Sequence, residues 1–577
     1  MKQHVRWLLL GLLWLTFAVS VSAADAGLSR PVLPKQVAVA SANNQATDAG
    51  LEVLAAGGNA FDAAVAVSAT LGLVEPESSG LGGGAFMLLH VAHDNRDVFI
   101  DARERAPAAA TRDMYLDAQG NPNRDLAVNG PLAAGIPGLP AGLVHLAKKY
   151  GRLPLSRSLA PAIRLANEGW IFSSKNESML GFRKDVLARS PAAAKLFLPG
   201  GEVPKAGTRM RNPDYARTLQ LLAKQGADGF YRGAFARKLA SGVRKAGGIW
   251  SEADLADYQV VEREPIRITH RGYQLVTVPP PSSGGVALAE ILNVLSGYDY
   301  PAMTRADRIH VIVEAMRRAY RDRSIYLGDP DFFKVPLALL TSADYAAGLR
   351  AGISPSHATP SILLPGVGEG SERVETTHYS IVDSEGNLVA TTQTVNLPYG
   401  NAFAVAGTGF LLNNEMDDFS VKPGVPNAFG LVGDDANAIA PGKRPLSSMT
   451  PSFLVGHNKV SAIGTPGGSR IITMVLLGLL ELMDGGSAQA ATDLPRYHHQ
   501  YLPDVISAET GALSAVEIQG LQAKGHVVTV ESRTWGNMQI VTWDQGNGGV
   551  EAGSDGRWQG VGKAATGDVP AEAAIFR

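Results

Sequence analysis

The spacing of apolar residues changes near residue 376, and this change restricts the folds open to the chain. Before it, from Leu143 to Leu349, the pattern is largely helical, and the clearest helix is predicted over Asp307–Tyr326. After it, side chains alternate with a period of two, which predicts a hairpin of strands over Thr376–Asp383 and Leu388–Val395. Helices that cover a mixed sheet predict a layered α/β (α+β) architecture.

Shorter patterns predict further elements, and a glycine run lies among them. Gly80–Gly84 looks like a dinucleotide-binding fingerprint, but it follows Glu75–Ser79 rather than a strand and precedes an extended run rather than a helix. We expect its glycines to allow close backbone packing instead. The other predicted helices and strands are Gln45–Ala56, Ala60–Leu71 with Asn59 as its cap, Phe86–His90, Ser452–Val455, Val460–Ile463 and Ile471–Met483.

Composition excludes several classes of function. The chain has 577 residues, 45% of them hydrophobic, so it can bury a large core, and its net charge of −2 gives no electrostatic case for nucleic acid. Cysteine is absent, which excludes disulfides, a cysteine nucleophile and thiolate metal sites. His498 and His499 have no HExxH motif or carboxylate triad beside them, so we interpret them as structural and expect no metal or cofactor.

The first 23 residues have the parts of a secretory signal peptide. A basic segment, Met1–Arg6, precedes an apolar run, Trp7–Val21, and small residues end it at Val21–Ala23. The run is shorter than the ~20 residues that a bilayer requires, although an uncleaved membrane anchor is the alternative. Export without cysteine fits a bacterial periplasm, so we predict a secreted, periplasmic protein.

A proline-, glycine- and serine-rich segment, Ser354–Glu375, predicts a flexible linker directly before Thr376. If the bond Glu375–Thr376 is cut, the new α-amino group has a pKa of about 7.7–8. It then lies on the same residue as the hydroxyl, so one residue supplies nucleophile and base. The pattern alone favours an ordinary edge strand here, so the assignment of Thr376 depends on further motifs.

Four motifs occur in order after the linker: Thr376–Ser380 (TTHYS), Leu411–Ser420 (LLNNEMDDFS), Lys443–Met449 (KRPLSSM) and Pro466–Arg470 (PGGSR). Together they closely resemble the γ-glutamyltranspeptidases, and the resemblance extends from about Val39 almost to the C-terminus. It implies the N-terminal-nucleophile hydrolase fold, a four-layer αββα sandwich. It also implies a precursor that cleaves itself at Glu375–Thr376 into a large subunit, 24–375, and a small subunit, 376–577, which form one intertwined heterodimer.

The resemblance also implies the site residues. Thr376 matches the nucleophile, Thr394 the threonine that bonds its hydroxyl, and Gly467 and Gly468 the oxyanion hole, whose backbone N–H groups stabilise a tetrahedral intermediate. An α-amino acid substrate requires carboxylates at its ammonium and an arginine or hydroxyls at its carboxylate. The matching substrate-binding residues are Arg103, Asn396, Glu415, Asp418, Ser447 and Ser448.

Some of these positions also have plainer explanations. Thr394 and Asn396 are two apart, which places both on one face of a strand, where Thr394 serves equally well as a β-branched strand residue. Glu415 and Asp418 are three apart and either converge in a turn or belong to a solvated acidic loop. Arg103 has a competitor in Arg105, and either arginine suits a charged surface.

The resemblance implies a γ-glutamyl transferase/hydrolase that acts on glutathione and related γ-glutamyl compounds, with water, amino acids or peptides as acceptors. The alternative is a cephalosporin (glutaryl) acylase of the same superfamily. Glutaryl groups lack the α-amine, so the presence of Glu415 and Asp418 favours the first. A third hypothesis, a binding protein on an inactive scaffold, is opposed by the presence of Thr376 and of the glycine pair.

A long glycine- and proline-rich segment, Pro423–Pro445, lies between assigned substrate residues and is expected to form a lid. Relatives often have tyrosine or tryptophan where this chain has Phe429. Because Phe429 has no hydroxyl, we expect closure by apolar contact alone and a lid that opens readily. An ordinary surface connection is the alternative.

Overall fold

The computed structural model describes residues 31–364 and 376–566. The predicted signal peptide, 1–23, and the end of the predicted linker, 365–375, lie outside the described residues. The helices are α1 Asn44–Ala55, α2 Ala60–Val74, α3 Arg124–Val128, α4 Leu139–Lys149, α5 Leu155–Ser158, α6 Ala160–Glu168, α7 Ser174–Leu187, α8 Pro191–Phe197, α9 Pro213–Gln225, α10 Ala227–Tyr231, α11 Gly233–Lys245, α12 Glu252–Ala256, α13 Gly284–Leu295, α14 Arg305–Tyr326, α15 Leu337–Leu340, α16 Ala343–Ala351, α17 Ile471–Met483, α18 Ala488–Asp493 and α19 Ala515–Ala523.

The strands are β1 Gln36–Ser41, β2 Gly84–Val91, β3 Arg96–Ala102, β4 Trp170–Ile171, β5 Arg209–Met210, β6 Val261–Arg263, β7 Ile266–His270, β8 Tyr273–Thr277, β9 Thr377–Val382, β10 Leu388–Thr394, β11 Ser452–Gly456, β12 Lys459–Gly464, β13 Tyr497–His498, β14 Ile506–Glu509, β15 Val528–Glu531, β16 Gln539–Asp544, β17 Val550–Ser554 and β18 Val561–Thr566. Thirteen of them form a seven-stranded sheet in the order β18-β1-β9-β10-β2-β3-β6 and a six-stranded sheet in the order β17-β16-β12-β11-β8-β7, while β13, β14 and β15 form a three-stranded sheet and β4 pairs with β5. The two large sheets therefore combine strands from before and after residue 376.

The two sheets pack face to face, and helices cover their outer faces. On β1, Ala38 and Ala40 belong to the core shared with the six-stranded sheet and with α13, α14 and α17. Val37 and Val39, which alternate with them, belong to a second core with α2. Because successive strand residues point to opposite faces, one strand contributes to both cores. The result is a four-layer αββα arrangement.

The predicted hairpin is present, since β9 and β10 pair antiparallel with Gln393 opposite Thr377. The glycine run fixes β10 against β2. A Cβ on Gly83 would lie 1.9 Å from the carbonyl oxygen of Thr394, and one on Gly82 would lie 2.0 Å from that of Leu411. Glycine is therefore required where the backbone approaches the end of β10.

One prediction for the first half of the chain is confirmed and one is wrong. The region from Leu143 to Leu349 is largely helical, with α4 to α16, and it also contains the hairpin β7–β8, which turns at Arg271 and Gly272 with positive φ at both residues. The first part of the predicted flexible linker is fixed to the fold: the Thr359 N–H donates to Glu314 and the Ser361 N–H to Asp504. Charged partners, of which Glu314 is buried, fix these residues despite their composition.

In the parts of the chain that the structure describes, no helix combines the length and apolar character needed to cross a membrane.

Candidate active site

Thr376 lies immediately before β9 and is almost completely buried. Its Oγ1 is 3.4 Å from Oγ1 of Thr394, the last residue of the neighbouring strand β10. The Asn396 N–H donates to Thr394 Oγ1 at 2.7 Å, which leaves the Thr394 hydroxyl proton available to the Thr376 oxygen. The hairpin register thus brings the two hydroxyls together.

Asn396 reaches the site by a different route from the one predicted. β10 ends at Thr394, and Asn396 has a left-handed backbone conformation with φ of 78°. Its Nδ2 donates to the carbonyl oxygen of Asn414 at 2.9 Å. Asn396 and Thr394 share a pocket because the chain turns back, so the expectation of a common strand face is wrong.

The acidic pair forms a buried turn rather than a solvated loop. Glu415–Asp418 is a 3₁₀ helix in which Glu415 is 1% exposed and the Asp418 side chain 10%. The fully buried Arg103 donates from Nη1 to Glu415 and from Nη2 to Asp418. Arg105, its sequence competitor, donates instead to the carbonyl oxygens of Gly442 and Asp257. Arg103 is therefore the arginine at the pocket.

Three carboxyl groups lie around the single guanidinium of Arg103. Glu104 adds a third, with Oε2 3.7 Å from Nη1 of Arg103. Burial raises the pKa of Glu104 to about 8, although the charge of Arg103 opposes the rise. Burial also raises the pKa of Glu415 and that of Asp418, again against Arg103. A pocket in which carboxylates are costly to ionise favours a ligand that brings a positive charge.

The serine pair lies on a segment fixed by its backbone. The Ser447 N–H donates to Pro281, and the Ser447 Oγ accepts from the Met449 N–H at 3.1 Å, which leaves the Ser447 hydroxyl proton available to a ligand. Ser448 Oγ is 3.5 Å from Nη2 of Arg323.

Arg323 is a buried residue that the sequence analysis missed. Its Nε donates to Ser283 Oγ at 3.0 Å, and burial lowers its pKa to about 10, so it is charged at neutral pH. Its position on α14 was the available signal, but that helix also carries Arg317, Arg318 and Arg321, and periodicity does not indicate which arginine faces the serines.

Gly467 and Gly468 form the turn that enters α17, with φ of 142° and 53°. A Cβ on Gly467 would lie 2.2 Å from Cε of Met474, the end of a flexible side chain on α17, and the positive φ of Gly467 itself favours glycine. The hydroxyl of Tyr320 donates to the carbonyl oxygen of Ser469 and helps to hold the turn. Backbone N–H groups at such a turn are suited to an oxyanion.

One pocket brings together nine of the ten predicted site residues. Gly467, the tenth, lines an adjacent cavity, while Phe429, Met449 and Ile471 complete the first pocket. The nine are Arg103, Thr376, Thr394, Asn396, Glu415, Asp418, Ser447, Ser448 and Gly468.

The segment Pro423–Pro445 reaches the pocket through Phe429, but the expectation that only apolar contact holds it is wrong. Backbone and amide groups replace the missing hydroxyl. The hydrogen bonds run from Asn427 Nδ2 to Asp418 Oδ1 (3.2 Å), from the Ala428 N–H to Asp417 Oδ2 (3.0 Å) and from Gln500 Nε2 to the Phe429 carbonyl oxygen (3.3 Å).

The adjacent histidines are hydrogen-bonded within the fold, in agreement with a structural role. His498 contacts Thr473 and Gln500, and His499 contacts Asp504. A second group of side chains that could hold a metal ion consists of His310, Glu314 and His526, whose possible ligand atoms all lie within 4.8 Å of one another. These side chains already make hydrogen bonds: His310 bonds to His526, and Glu314 accepts from the Thr359 hydroxyl.

Residues 46–565 match the sequence model of the family described as Gamma-glutamyltranspeptidase. The chain belongs to the γ-glutamyltranspeptidase family. It is 43% identical to the glutathione hydrolase proenzyme of Escherichia coli (strain K12), over 89% of this chain and 90% of the relative. It is 46% identical to the glutathione hydrolase proenzyme of Pseudomonas sp. (strain A14), over 84% of this chain and 85% of the relative.

Among solved structures, the fold is similar to the cephalosporin acylase from Bacillus halodurans. The TM-score is 0.82 at 30% identity, and the match covers 93% of this chain and 96% of the acylase. The predicted family and the predicted N-terminal-nucleophile hydrolase fold are therefore confirmed. Within this γ-glutamyltranspeptidase, both predicted subunits contribute strands to each central sheet.

Proposed function

We propose that this γ-glutamyltranspeptidase cleaves the γ-glutamyl amide bond of glutathione and related compounds, and passes the γ-glutamyl group to water, amino acids or peptides. The family match and the glutathione hydrolase relatives support this activity class, as the sequence predicted. The observation that carries the proposal is a single pocket that contains a buried threonine hydroxyl, a buried acidic pair, an arginine and two serines.

The proposed reaction starts from an N-terminal Thr376, produced when the precursor cleaves itself at Glu375–Thr376. The α-amino group removes the hydroxyl proton, and Oγ1 attacks the γ-carbonyl. The N–H groups of Gly467 and Gly468 stabilise the oxyanion, and such a donor contributes ~3–4 kcal/mol in comparable sites. The C–N bond breaks, the leaving amine takes the proton, and an ester on Thr376 remains for water or an amine to attack.

The substrate's charged end meets groups of opposite sign. Its ammonium replaces the Arg103 guanidinium at Glu415 and Asp418, with the Asn396 side chain nearby. Its carboxylate then takes the freed guanidinium and the hydroxyls of Ser447 and Ser448. Exchanging one set of ion pairs for another keeps every buried charge compensated.

The second candidate, a glutaryl acylase, is favoured by the similarity to a cephalosporin acylase structure. A glutaryl group has no ammonium, so it would leave Glu415 and Asp418 without a new cation. The burial of both acids at the pocket wall argues for the γ-glutamyl substrate.

Maturation and location follow the same proposal. The precursor loses residues 1–23 on export and yields subunits 24–375 and 376–577, which stay together as a heterodimer in a bacterial periplasm. The proenzyme names of the relatives and the interleaved strands of both sheets support this processing.

A substrate pair tests the function. Purified protein is assayed with γ-glutamyl-p-nitroanilide and glutaryl-p-nitroanilide, with Thr376→Ala as the inactive control. The proposal expects a kcat/KM for the γ-glutamyl substrate at least about thirtyfold higher, since a buried charge pair is worth about 2–5 kcal/mol. A preference for the glutaryl substrate would support the acylase instead.

A further inference from the structure

Within the described part of the chain, Arg323 is the one arginine of α14 that has no ion-pair partner. The helix carries six arginines, and the other five each pair with a carboxylate: Arg305, Arg308, Arg317, Arg318 and Arg321. Arg323 is also 5% exposed. A guanidinium that is taken out of water without an anion costs free energy, so its burial beside the pocket indicates a role that an acidic partner would prevent.

The hydrogen bonds of Arg323 lead to the segment that carries the serine pair. Its Nε donates to Ser283 Oγ at 3.0 Å, and Ser283 Oγ donates in turn to the Ser447 carbonyl oxygen at 2.8 Å. Its Nη2 lies 3.5 Å from Ser448 Oγ, and its Nη1 has no acceptor among the described residues. One guanidinium therefore supports both serines and keeps one donor group unused.

The donors behind the serines set the direction of the serine hydroxyl protons. Ser447 Oγ accepts from the Met449 N–H at 3.1 Å, and Ser448 Oγ faces the Arg323 guanidinium. A hydroxyl oxygen that faces a donor on one side presents its own proton on another side. Because both serines line the pocket of Thr376, each of them can donate to a carboxylate bound there.

A zwitterionic substrate also requires more positive charge than Arg103 alone supplies. Glu415 and Asp418 already share the Arg103 guanidinium. In the proposed complex, these two carboxylates and the ligand carboxylate face only two cations, the guanidinium and the ligand ammonium. Burial lowers the pKa of Arg323 to about 10, against the charge of Asp418, so Arg323 is protonated at neutral pH and provides a third cation. The buried charges of the complex then balance.

We propose that Arg323 is a positioning residue for the α-carboxylate of the γ-glutamyl substrate, and that it acts through Ser448 and through its own positive charge. The inference rests on the proposed function and gives a role in it to a side chain that does not line the pocket. From behind the pocket wall, Arg323 directs the Ser448 hydroxyl toward the ligand carboxylate and compensates the charge of that carboxylate. A substrate with an uncharged group at this position benefits from neither effect.

The test compares γ-glutamyl-p-nitroanilide with the derivative whose α-carboxylate is replaced by a carboxamide, because the two differ only in that group. We expect Arg323→Gln to lower the kcat/KM ratio of the carboxylate to the carboxamide substrate about tenfold, since a charge-assisted hydrogen bond is weakened. The loss should appear as a higher KM for the carboxylate substrate, while the kcat/KM of the carboxamide stays within about twofold of wild type.

Arg323→Lys separates the charge from the geometry of the guanidinium. Lysine keeps the positive charge, but its single ammonium replaces a planar group that faces Ser283 and Ser448 at the same time. The ratio should therefore lie between those of wild type and Arg323→Gln. If Arg323→Gln fails to fold, a ratio below wild type in Arg323→Lys still supports the proposal, and an unchanged ratio overturns it.

Arg305→Gln is the matched control, because Arg305 lies on the same helix, is 66% exposed, pairs with Glu517 and does not line the pocket. It should leave the ratio at the wild-type value. Equal losses on both substrates in Arg323→Gln would show that Arg323 only supports the fold, and an unchanged ratio would show that it does not assist carboxylate binding. Either result overturns the proposal, whereas failure of the wild-type protein to turn over γ-glutamyl-p-nitroanilide would remove the proposed function itself.

Discussion

Arg103 connects the acidic turn of the pocket with the segment that carries the serines. It donates to Glu415 and Asp418, and its Nε donates to the Pro445 carbonyl oxygen at 3.1 Å, two residues before Ser447. In the proposed complex with substrate, this guanidinium changes its partner from a protein carboxylate to the ligand carboxylate. On that proposal, the charges at the pocket depend on one another.

The nucleophile is tested by Thr376→Ala. Because the same hydroxyl is proposed to attack the Glu375 carbonyl and later the substrate, we expect the variant to remain one chain and to be inactive. A denaturing gel and N-terminal sequencing of the smaller band measure this. Thr391→Ala serves as a control, because Thr391 is another buried threonine of β10, outside the pocket lining. A processed Thr376→Ala protein would refute self-cleavage by this residue.

Asp418→Ala tests the ammonium site. We expect a lower kcat/KM for γ-glutamyl-p-nitroanilide, equivalent to a loss of about 2–5 kcal/mol of transition-state stabilisation. This is the usual effect of leaving a buried charge unpaired. The loss on glutaryl-p-nitroanilide should be much smaller, because that substrate has no ammonium. Asp418→Asn keeps the side-chain volume and separates charge from packing. Equal losses on both substrates would mean that Asp418 acts only on the structure of the turn.

At the scale of elements, the segment Pro423–Pro445 has two parts with different attachments. The Gly424 N–H donates to the Gly433 carbonyl oxygen at 3.1 Å, so the tip between them closes on itself. The later part supports the pocket, since Asn437 Nδ2 donates to the Asp418 carbonyl oxygen at 2.7 Å. Removing the tip alone keeps the bond from Asn437 to the acidic turn, although it removes the bonds from Asn427 to Asp418 and from the Ala428 N–H to Asp417.

We therefore predict that replacing residues 425–432 with two glycines changes acceptor choice. The deletion removes Phe429 from the pocket and the bond from Asn427 to Asp418. Hydrolysis of γ-glutamyl-p-nitroanilide should stay within about tenfold of wild type, while rates with bulky peptide acceptors rise relative to glycylglycine. The measurement is transfer rate against acceptor size, with Asn437→Ala as a comparison that should impair both reactions. If the acceptor profile is unchanged, the tip is not a lid.

At the scale of the whole molecule, local pattern predicted individual elements but not their assembly. α17 has the predicted bounds, and Asn59 caps α2 as expected. The pairing of β1 with β18 joins the two ends of the described chain, and no local pattern contains that information. The same limit applies to the site. The motifs identified the residues of the pocket, whereas the contact of Arg323 with Ser448 depends on packing between α14 and a distant loop.

Buried histidines make the stability of the molecule depend on pH. Burial lowers the pKa of His378 to about 3, and its ring contacts Thr392 and Ser380. A histidine has a pKa of about 6.5 when unfolded, so between the two values the unfolded state binds more protons. Its contribution is fully present above pH 6.5 and is lost as the pH falls toward 3. Glu104, whose pKa is raised to about 8, changes the stability with pH in the opposite direction. The pH dependence of the total stability therefore contains contributions of both signs.

The difference in unfolding free energy between wild type and His378→Gln isolates the contribution of this histidine. His378→Gln should be less stable than wild type at pH 7.5, because it loses the contacts with Thr392 and Ser380. That difference should shrink by about 2 kcal/mol at pH 5, since protonation of the unfolded histidine penalises only the wild type. Urea unfolding of both proteins at the two pH values measures it. His93→Gln is the control for the substitution itself, because the His93 side chain is 78% exposed. A constant difference for His378→Gln would mean that His378 is protonated in the fold or that its proton is not linked to unfolding.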